Sequence, residues 1–198
     1  MDKWNLIDPH TKEVKESISA TELWERILVT RCETGEPLFH FIDTSNRMLP
    51  EYQKKLGLKV RQSNLCSEIT LPTDENRTAV CCLASLNLDY YDKWSDNEQF
   101  YLDVATYLDN VLQYFIDNAP RTLKRAIHSA TSERAIGIGT LGFHSYLQSK
   151  DIEIESMAAY NLNNKIFRTI HTNLEKVNLI LGSSRGEAPD CVGTGRRF

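Results

Sequence analysis

An amide, a thiol and a carboxylate occur at every second position of one short segment, at Asn64, Cys66 and Glu68. If this backbone is extended, successive side chains point to opposite sides and these three share one face. That face combines a hydrogen-bonding group that can orient a ligand, a sulfur that can react and a base for a substrate hydroxyl. The spacing also fits a buried structural cysteine between two solvated polar neighbours, because free cysteine is among the most buried residue types.

Two adjacent thiols, Cys81 and Cys82, lie in the apolar run from Ala79 to Leu88. Adjacent residues of a strand face opposite sides, so only one of the two can face a given site. Either both are small apolar residues of a core, or one is half of a redox pair with a cysteine elsewhere.

Two further patterns do not predict sites. The glycines from Gly137 to Gly142 fit a dinucleotide-binding pattern, but the polar, helix-like residues 121–134 leave no strand to precede it, so close backbone packing explains the glycines better. No zinc-type spacing with each other or with cysteine is present among the histidines, which are His10, His40, His128, His144 and His171. We therefore predict no metal site.

Composition excludes several classes of protein. The 198 residues carry a formal charge of −4, which argues against a nucleic-acid binder that works through bulk charge. Hydrophobic residues at 41% and charged residues at 25% are typical of a soluble globular protein. The longest apolar run falls short of the ~20 residues of a membrane span, and no secretory signal is recognisable, so we expect a cytoplasmic protein without a membrane partner. Five cysteines, an odd number, indicate reduced thiols.

The first half of the chain is expected to mix helix and extended segments. Ser19 and Glu22 form a capping box, and Gly35 supplies a stop, so residues 20–34 are predicted as a helix. Residues 38–42 are predicted as a strand. Extended structure is expected over 63–71, and a strand buried between two layers over 78–88.

The second half is predicted to be mainly helical. A capping box at Ser95 and Glu98 begins a helix that ends before Pro120, with apolar residues at helical spacing at Tyr101, Val104, Leu108, Val111 and Phe115. Shorter helices are expected over 122–129 and 139–148. A long helix from Ala159 to Leu181 closes at Gly182. Long helices alternating with short buried strands indicate an α/β fold in one continuous globular piece, residues 1–198.

Taken together, the segments 61–69 and 78–88 resemble the large, catalytic subunit of ribonucleotide reductase, more like class I than the cobalamin-dependent class II. Further segments resemble the family's sequence in the family's order, at 35–37 upstream and at 136–139, 142–144 and 184–189 downstream. The resemblance runs from about Leu6 to Arg197. It corresponds to a middle part of a full subunit.

This resemblance implies part of a ten-stranded α/β barrel, incomplete in this chain, with the motif on a finger loop at its centre. Cys66 would become a thiyl radical that abstracts the 3′ hydrogen of the ribose, since S–H and C–H bonds of comparable strength let the hydrogen move both ways. Glu68 would take the proton of the 3′ hydroxyl as the 2′ hydroxyl leaves as water. Asn64 would hold the sugar by hydrogen bonding.

The resemblance also implies a redox-active cysteine at Cys81, half of a pair that forms a disulfide and is reduced again by thioredoxin or glutaredoxin. The other cysteine of the pair would lie before this chain begins, and Cys32 is not in the matching context. The position of Cys82 need not be cysteine in the family. No cofactor is expected in this chain.

The resemblance further implies several partners. These are a ribonucleotide substrate, expected as a diphosphate, the remaining segments of the large subunit, a metal-containing small subunit that supplies the radical, and a large-subunit dimer. We interpret the chain as a piece of a split gene or a fragment that acts with those segments. The alternative is a non-catalytic structural or interaction fragment whose exposed edges a partner chain covers.

Overall fold

The computed structural model describes residues 2–198, which begin with an antiparallel hairpin and a helix. Strands β1 (Lys3–Ile7) and β2 (Val14–Ser19) pair in the hairpin, which is not predicted from sequence. Helix α1 (Ala20–Thr34) follows. The Ser19 side chain accepts from the backbone N–H of Glu22 at 3.3 Å, and Gly35, at φ 80°, donates to the Arg31 carbonyl at 2.8 Å. The predicted helix and both its caps are confirmed.

The strand predicted over 38–42 is wrong. Residues 38–41 have no regular structure, and helix α2 (Ile42–Met48) begins where the strand was expected to end. The segment before α2 is held on α1 instead of in a sheet, since the Phe39 ring stacks on Trp24 at 5.9 Å and Arg31 donates to the Pro37 carbonyl at 2.8 Å. Helix α3 (Glu51–Lys55) comes next.

After a long irregular stretch, the chain enters β3 (Leu83–Asn87), which is shorter than the predicted strand over 78–88. A 3-10 turn leads to α4 (Tyr91–Trp94) and then to α5 (Glu98–Asn118). The cap of α5 is Asn97, whose side chain accepts from the Phe100 N–H at 3.2 Å, so the capping box predicted at Ser95 is wrong.

The buried face of α5 differs in part from the prediction. Tyr101 and Leu108 are buried as expected, whereas Val111 is 41% exposed. The other buried residues of the helix are Ala105, Asp109 and Leu112. This face is turned slightly from the predicted one because α5 contacts helices on two sides, α6 (Lys124–Glu133) and the long C-terminal helix described below.

The helix predicted over 139–148 is wrong in its first part, because β4 (Gly137–Leu141) pairs in parallel with β3. Helix α7 (Phe143–Ser149) starts only after Gly142, which turns the chain at φ 79°. A Cβ on Gly137 would lie 2.3 Å from a methyl carbon of Leu83, so the glycine leaves room for this side chain of the neighbouring strand.

The long helix predicted near the C-terminus is confirmed as α8 (Met157–Arg185). It continues past Gly182 to a cap at Gly186. Gly182 is buried within the helix, and a Cβ there would lie 2.1 Å from the carbonyl oxygen of Gly195. The glycine therefore admits the C-terminal segment against the helix rather than ending the helix.

The largest core cluster lies between the parallel strand pair and helices α5 and α8. Its buried members are Leu86, Leu88, Tyr91, Trp94, Tyr101, Ala105, Tyr146, Ile166, Ile170, Val177 and Leu181. The architecture is mixed α/β, as predicted. Within residues 2–198, no helix is both long enough and apolar enough to cross a membrane.

The buried carboxylate of Asp109 links α5 to the end of α6, to the end of α8 and to the C-terminal segment. Asp109 accepts from Arg134 at 2.6 Å, from Arg185 at 2.8 Å and from Arg197 at 3.3 Å. Burial raises the pKa of this carboxyl, but hydrogen bonds from Arg185 and Arg134 outweigh burial, and the pKa lies below its ordinary value. The charge is thus compensated in the interior.

Candidate active site

The candidate site residues lie on residues 61–82, an irregular segment between α3 and β3 that we call the site loop. At its start, the Asn46 side chain clamps the backbone of Val60 with two hydrogen bonds, of 2.8 and 2.9 Å. Further along, Arg61 donates to the carbonyl of Thr73 at 2.9 Å across the loop. The Asn46 contacts hold the start of the loop on α2, and the Arg61 bond joins the two arms of the loop.

Asn64 and Glu68 meet at a tight turn. The Asn64 side-chain amide donates to a Glu68 carboxylate oxygen at 2.8 Å, and the Ser67 N–H donates to the Asn64 carbonyl at 3.1 Å. Ser67 has φ 63°, in the left-handed region. The prediction of extended backbone is therefore wrong at this turn, and the two polar side chains come together by chain reversal instead of by alternation.

Two more hydrogen bonds stabilise this turn. The Ile69 N–H donates to the Asn64 side-chain oxygen at 3.2 Å, and the Ser63 hydroxyl donates to the Ile69 carbonyl at 2.7 Å. Both the nitrogen and the oxygen of the Asn64 side-chain amide are thus hydrogen-bonded, which fixes the orientation of the amide.

Cys66 lies in the turn itself and is exposed. Its neighbour Leu65 is 94% exposed. The alternative of a buried structural cysteine is therefore wrong for Cys66. An exposed thiol between two hydrogen-bonded polar side chains is accessible to a ligand.

Two cavities flank the loop. The larger, of about 760 Å³, is lined in part by Asn64, Arg77 and Cys81, and the smaller, of about 470 Å³, by Glu68 and Cys81 among others. Cys81 lies at the boundary between them, with Asn64 on one side and Glu68 on the other. A volume of several hundred Å³ is typical of small-molecule sites.

The two adjacent thiols have different environments. Cys82 is buried and its sulfur contacts the Leu108 carbonyl at 3.5 Å, inside a second core cluster. Cys81 is exposed. Partial burial raises the pKa of the Cys81 thiol, and the negative charges of Glu68 and Cys66 raise it further. Of the two adjacent thiols, Cys81 is the one accessible to a ligand.

The remaining cysteines lie elsewhere. Cys32 is exposed on α1, and Cys191 is buried beside Tyr52. Burial raises the pKa of the Cys191 thiol. No group of three or more His, Cys, Asp or Glu is placed to hold a metal ion in the part of the chain that the structure describes.

A buried ion cluster at the end of the loop is not predicted from sequence. Arg77 donates to Asp190 at 2.6 and 3.1 Å and to Glu133 at 3.1 Å. Burial raises the pKa of Glu133 to about 7, although Arg77 opposes the shift. The partners lie 56 and 113 residues from Arg77 along the chain, so no local pattern indicates the cluster.

A family model for the ribonucleotide reductase barrel domain matches residues 3–192. The chain belongs to the ribonucleotide reductase family. It is 76% identical over its whole length to the ribonucleoside-diphosphate reductase large subunit of Invertebrate iridescent virus 3, and 48% identical over 99% of its length to a putative large subunit of Frog virus 3. The chain spans only 31% and 35% of those two relatives.

A solved ribonucleotide reductase has the same fold. The alpha subunit of the class Id ribonucleotide reductase of Actinobacillus ureae superposes with a TM-score of 0.85 at 39% identity, over 89% of this chain and 34% of that one. The resemblance inferred from the motifs is confirmed. The parallel strand pair and its helices are part of an α/β barrel, as the family implies.

Proposed function

We propose that this chain carries part of the active site for the reduction of ribonucleotides, expected as diphosphates, to 2′-deoxyribonucleotides. The observation that supports this most strongly is the site loop turn, where the Asn64–Glu68 hydrogen bond spans the exposed Cys66, and Cys81 lines one cavity with Asn64 and another with Glu68. Family membership supplies the reaction class, and this arrangement supplies the groups that the reaction needs.

In the proposed reaction, the Cys66 thiyl radical abstracts the 3′ hydrogen atom and becomes a thiol. The Glu68 carboxylate accepts the 3′ hydroxyl proton, and the 2′ hydroxyl takes a proton from one thiol of the reducing pair and leaves as water. The two thiols, Cys81 and a cysteine outside this chain, supply two electrons and a second proton to the 2′ carbon and form a disulfide. Glu68 then returns its proton to the 3′ oxygen, and Cys66 returns its hydrogen atom to the 3′ carbon, which restores the radical.

The roles within the loop follow from the side chains. Asn64 orients Glu68 through the 2.8 Å hydrogen bond, and its position on the larger cavity suits contact with the sugar. Cys81 lines both cavities, so a ligand in the cavity lined by Glu68 can also contact the Cys81 thiol. Cys82 is assigned no role in the reaction because it is buried in the core.

The proposal includes partners outside the chain. Residues 1–198 would be one fragment of the catalytic barrel domain, completed by the remaining segments of the large subunit and assembled as a dimer. A metal-containing small subunit would generate the radical, and thioredoxin or glutaredoxin would reduce the Cys81 disulfide. The enzyme would work in the cytoplasm.

The test is reconstitution with the complementary segments and a small subunit. We expect turnover of ribonucleoside diphosphates with the native chain and none above background with Cys66→Ser. Cys32→Ser, at an exposed thiol on α1, is the matched control and should retain activity. Equal turnover by Cys66→Ser and the native chain would refute the role of Cys66.

A second candidate is a non-catalytic fragment that serves as an interaction module. Large apolar side chains on the described surface favour contact with other chains, among them Met48 at 74%, Tyr114 at 71% and Val192 at 74% exposure. Such contacts are also needed in the catalytic proposal. Binding of the complementary segments without any reductase activity of the complex would favour this second function.

A further inference from the structure

The ion cluster of Arg77, Glu133 and Asp190, which we call the base cluster, joins three segments that are distant in sequence. Arg77 belongs to the site loop, Glu133 to the last turn of α6, and Asp190 to the 3-10 turn Pro189–Cys191. The side chains are nearly inaccessible, at 10%, 3% and 9% exposure respectively. Charges so buried are retained only when they are well paired.

The geometry of the base cluster depends on the guanidinium group. Arg77 forms a bidentate pair with Asp190, at 2.6 and 3.1 Å, and a third bond with Glu133 at 3.1 Å. A planar fork with several fixed donors can satisfy two carboxylates at once, which the single ammonium group of lysine cannot reproduce. The cluster therefore holds Arg77 in one position.

This anchor lies on the returning arm of the site loop. Arg77 precedes Cys81 by four residues, and the next residue, Thr78, donates its N–H to the Arg125 carbonyl of α6 at 3.4 Å. Residues 78–82 lie outside any helix or strand, and they are held at both ends, by Arg77 before them and by the buried Cys82, whose carbonyl accepts from the Gly137 N–H at 2.9 Å. The exposed Cys81 lies between these two anchors, so its position relative to the opposite arm, with Glu68, depends on Arg77 as well as on Cys82.

We infer that Arg77 is a positioning residue, whose pairs with Glu133 and Asp190 keep Cys81 at the cavity that it shares with Glu68. The reason for positioning Cys81 rests on the proposed function, because that reaction requires a reducing thiol near the radical residue and the base. The geometric part, the placement of Cys81, is open to test without any turnover.

Cys81 itself reports on this placement. The nearby charge of Glu68 contributes to the raised pKa of the Cys81 thiol. If Cys81 moves away from Glu68, its pKa falls and its thiolate reacts faster with an alkylating reagent. A fall of half a pKa unit gives about a threefold faster reaction well below the pKa.

The experiment measures iodoacetamide alkylation of Cys81 in the 198-residue chain between pH 7 and about 10, resolved by peptide mass spectrometry. Arg77→Lys keeps the charge but loses the fork. We expect about a threefold faster reaction of Cys81 at pH 8 and a lower pH midpoint. Cys32 in the same molecule is the internal control and should react unchanged, and Arg121→Lys, at an exposed arginine, should leave Cys81 unaffected.

The effect of Glu68→Gln on Cys81 distinguishes a displaced Cys81 from a general loosening of the fold. In the native chain, Glu68→Gln should lower the Cys81 midpoint, whereas in the Arg77→Lys chain the same change should have little effect. Circular dichroism establishes that each variant is folded. If Arg77→Lys does not fold, Asp190→Asn weakens the same cluster and should shift Cys81 in the same direction.

The inference is overturned if a folded Arg77→Lys or Asp190→Asn chain alkylates Cys81 at the native rate with the full effect of Glu68→Gln. That failure is distinct from failure of the proposed function, which is judged by Cys66→Ser turnover alone. An unchanged Cys81 midpoint in a chain that still supports turnover would refute only the positioning role.

Discussion

The side-chain amide of Asn64 donates a hydrogen bond of 2.8 Å to the carboxylate of Glu68, across a turn that contains the exposed Cys66. This hydrogen bond joins Asn64, which is proposed to orient Glu68, to the carboxylate proposed as the general base. Because the amide oxygen of Asn64 is itself held by the Ile69 N–H, the carboxylate is fixed before any ligand arrives.

Removing this orientation should slow the reaction without preventing it. Asn64→Ala leaves the Glu68 carboxylate in place but mobile, and we expect kcat in the reconstituted enzyme to fall about 10- to 100-fold. Gln148→Ala removes an exposed amide on α7, which lines neither cavity, and serves as the control. A native kcat for Asn64→Ala would show that the hydrogen bond does not contribute to the reaction.

Removing the base should have a larger effect. Glu68→Gln keeps the size of the side chain and a hydrogen bond to Asn64 but accepts no proton, so we expect kcat to fall about 10²- to 10⁴-fold. Steady-state turnover with the native chain and with Glu25→Gln, at an exposed carboxylate on α1 away from both cavities, provides the comparison. Equal losses in the two variants would argue against a specific role for Glu68.

The stability of the chain should depend on pH through Glu133. Its pKa is raised from 4.5 to about 7 in the folded state, so the folded chain binds this proton more tightly than the unfolded chain. The contribution is fully present below the unfolded value and is lost as pH rises through about 7. The shift corresponds to about 3 kcal/mol of unfolding free energy.

Urea unfolding at pH 4.5 and pH 8 measures this contribution. The native chain should lose stability between the two values, and Glu133→Gln, which does not titrate, should lose less by up to about 3 kcal/mol. Glu25→Gln, at an exposed position on α1, should behave as the native chain does. The same pH dependence in Glu133→Gln and in the native chain would contradict the assignment.

The buried Asp109 should be essential to stability. Asp109→Ala leaves the Arg134 guanidinium, 6% exposed, without its carboxylate, and we expect a loss of about 3–5 kcal/mol. Thermal and urea unfolding measure the loss. Asp103→Ala, one and a half turns earlier on the exposed face of α5, should change stability by less than about 0.5 kcal/mol.

Local signals predicted the structure best. The ends of α1 are determined by Ser19 and Gly35, whose capping bonds involve residues three and four positions away, so the helix bounds follow from sequence. The β4 strand was not predicted because Gly137 pairs with Leu83, far away along the chain. Periodicity over a few residues carries no information about such a partner.

The candidate site shows the same division. The chemical types of Asn64, Cys66 and Glu68 were evident in the sequence, but their meeting depends on the left-handed conformation of Ser67, which no pattern indicated. The position of Cys81 beside Glu68 depends in turn on the packing of α6 and the C-terminal region. Those contacts are set by the tertiary fold, so the base cluster was found only in the structure.

The most direct test of the central claim, that the Cys66 sulfur carries a hydrogen atom to and from the substrate, uses a ribonucleotide deuterated at the 3′ carbon. In the reconstituted enzyme we expect slower turnover than with the undeuterated substrate and deuterium retained at the 3′ carbon of the product. We expect no product with Cys66→Ser. Identical turnover of the two substrates, together with continued product formation by Cys66→Ser, would contradict the account.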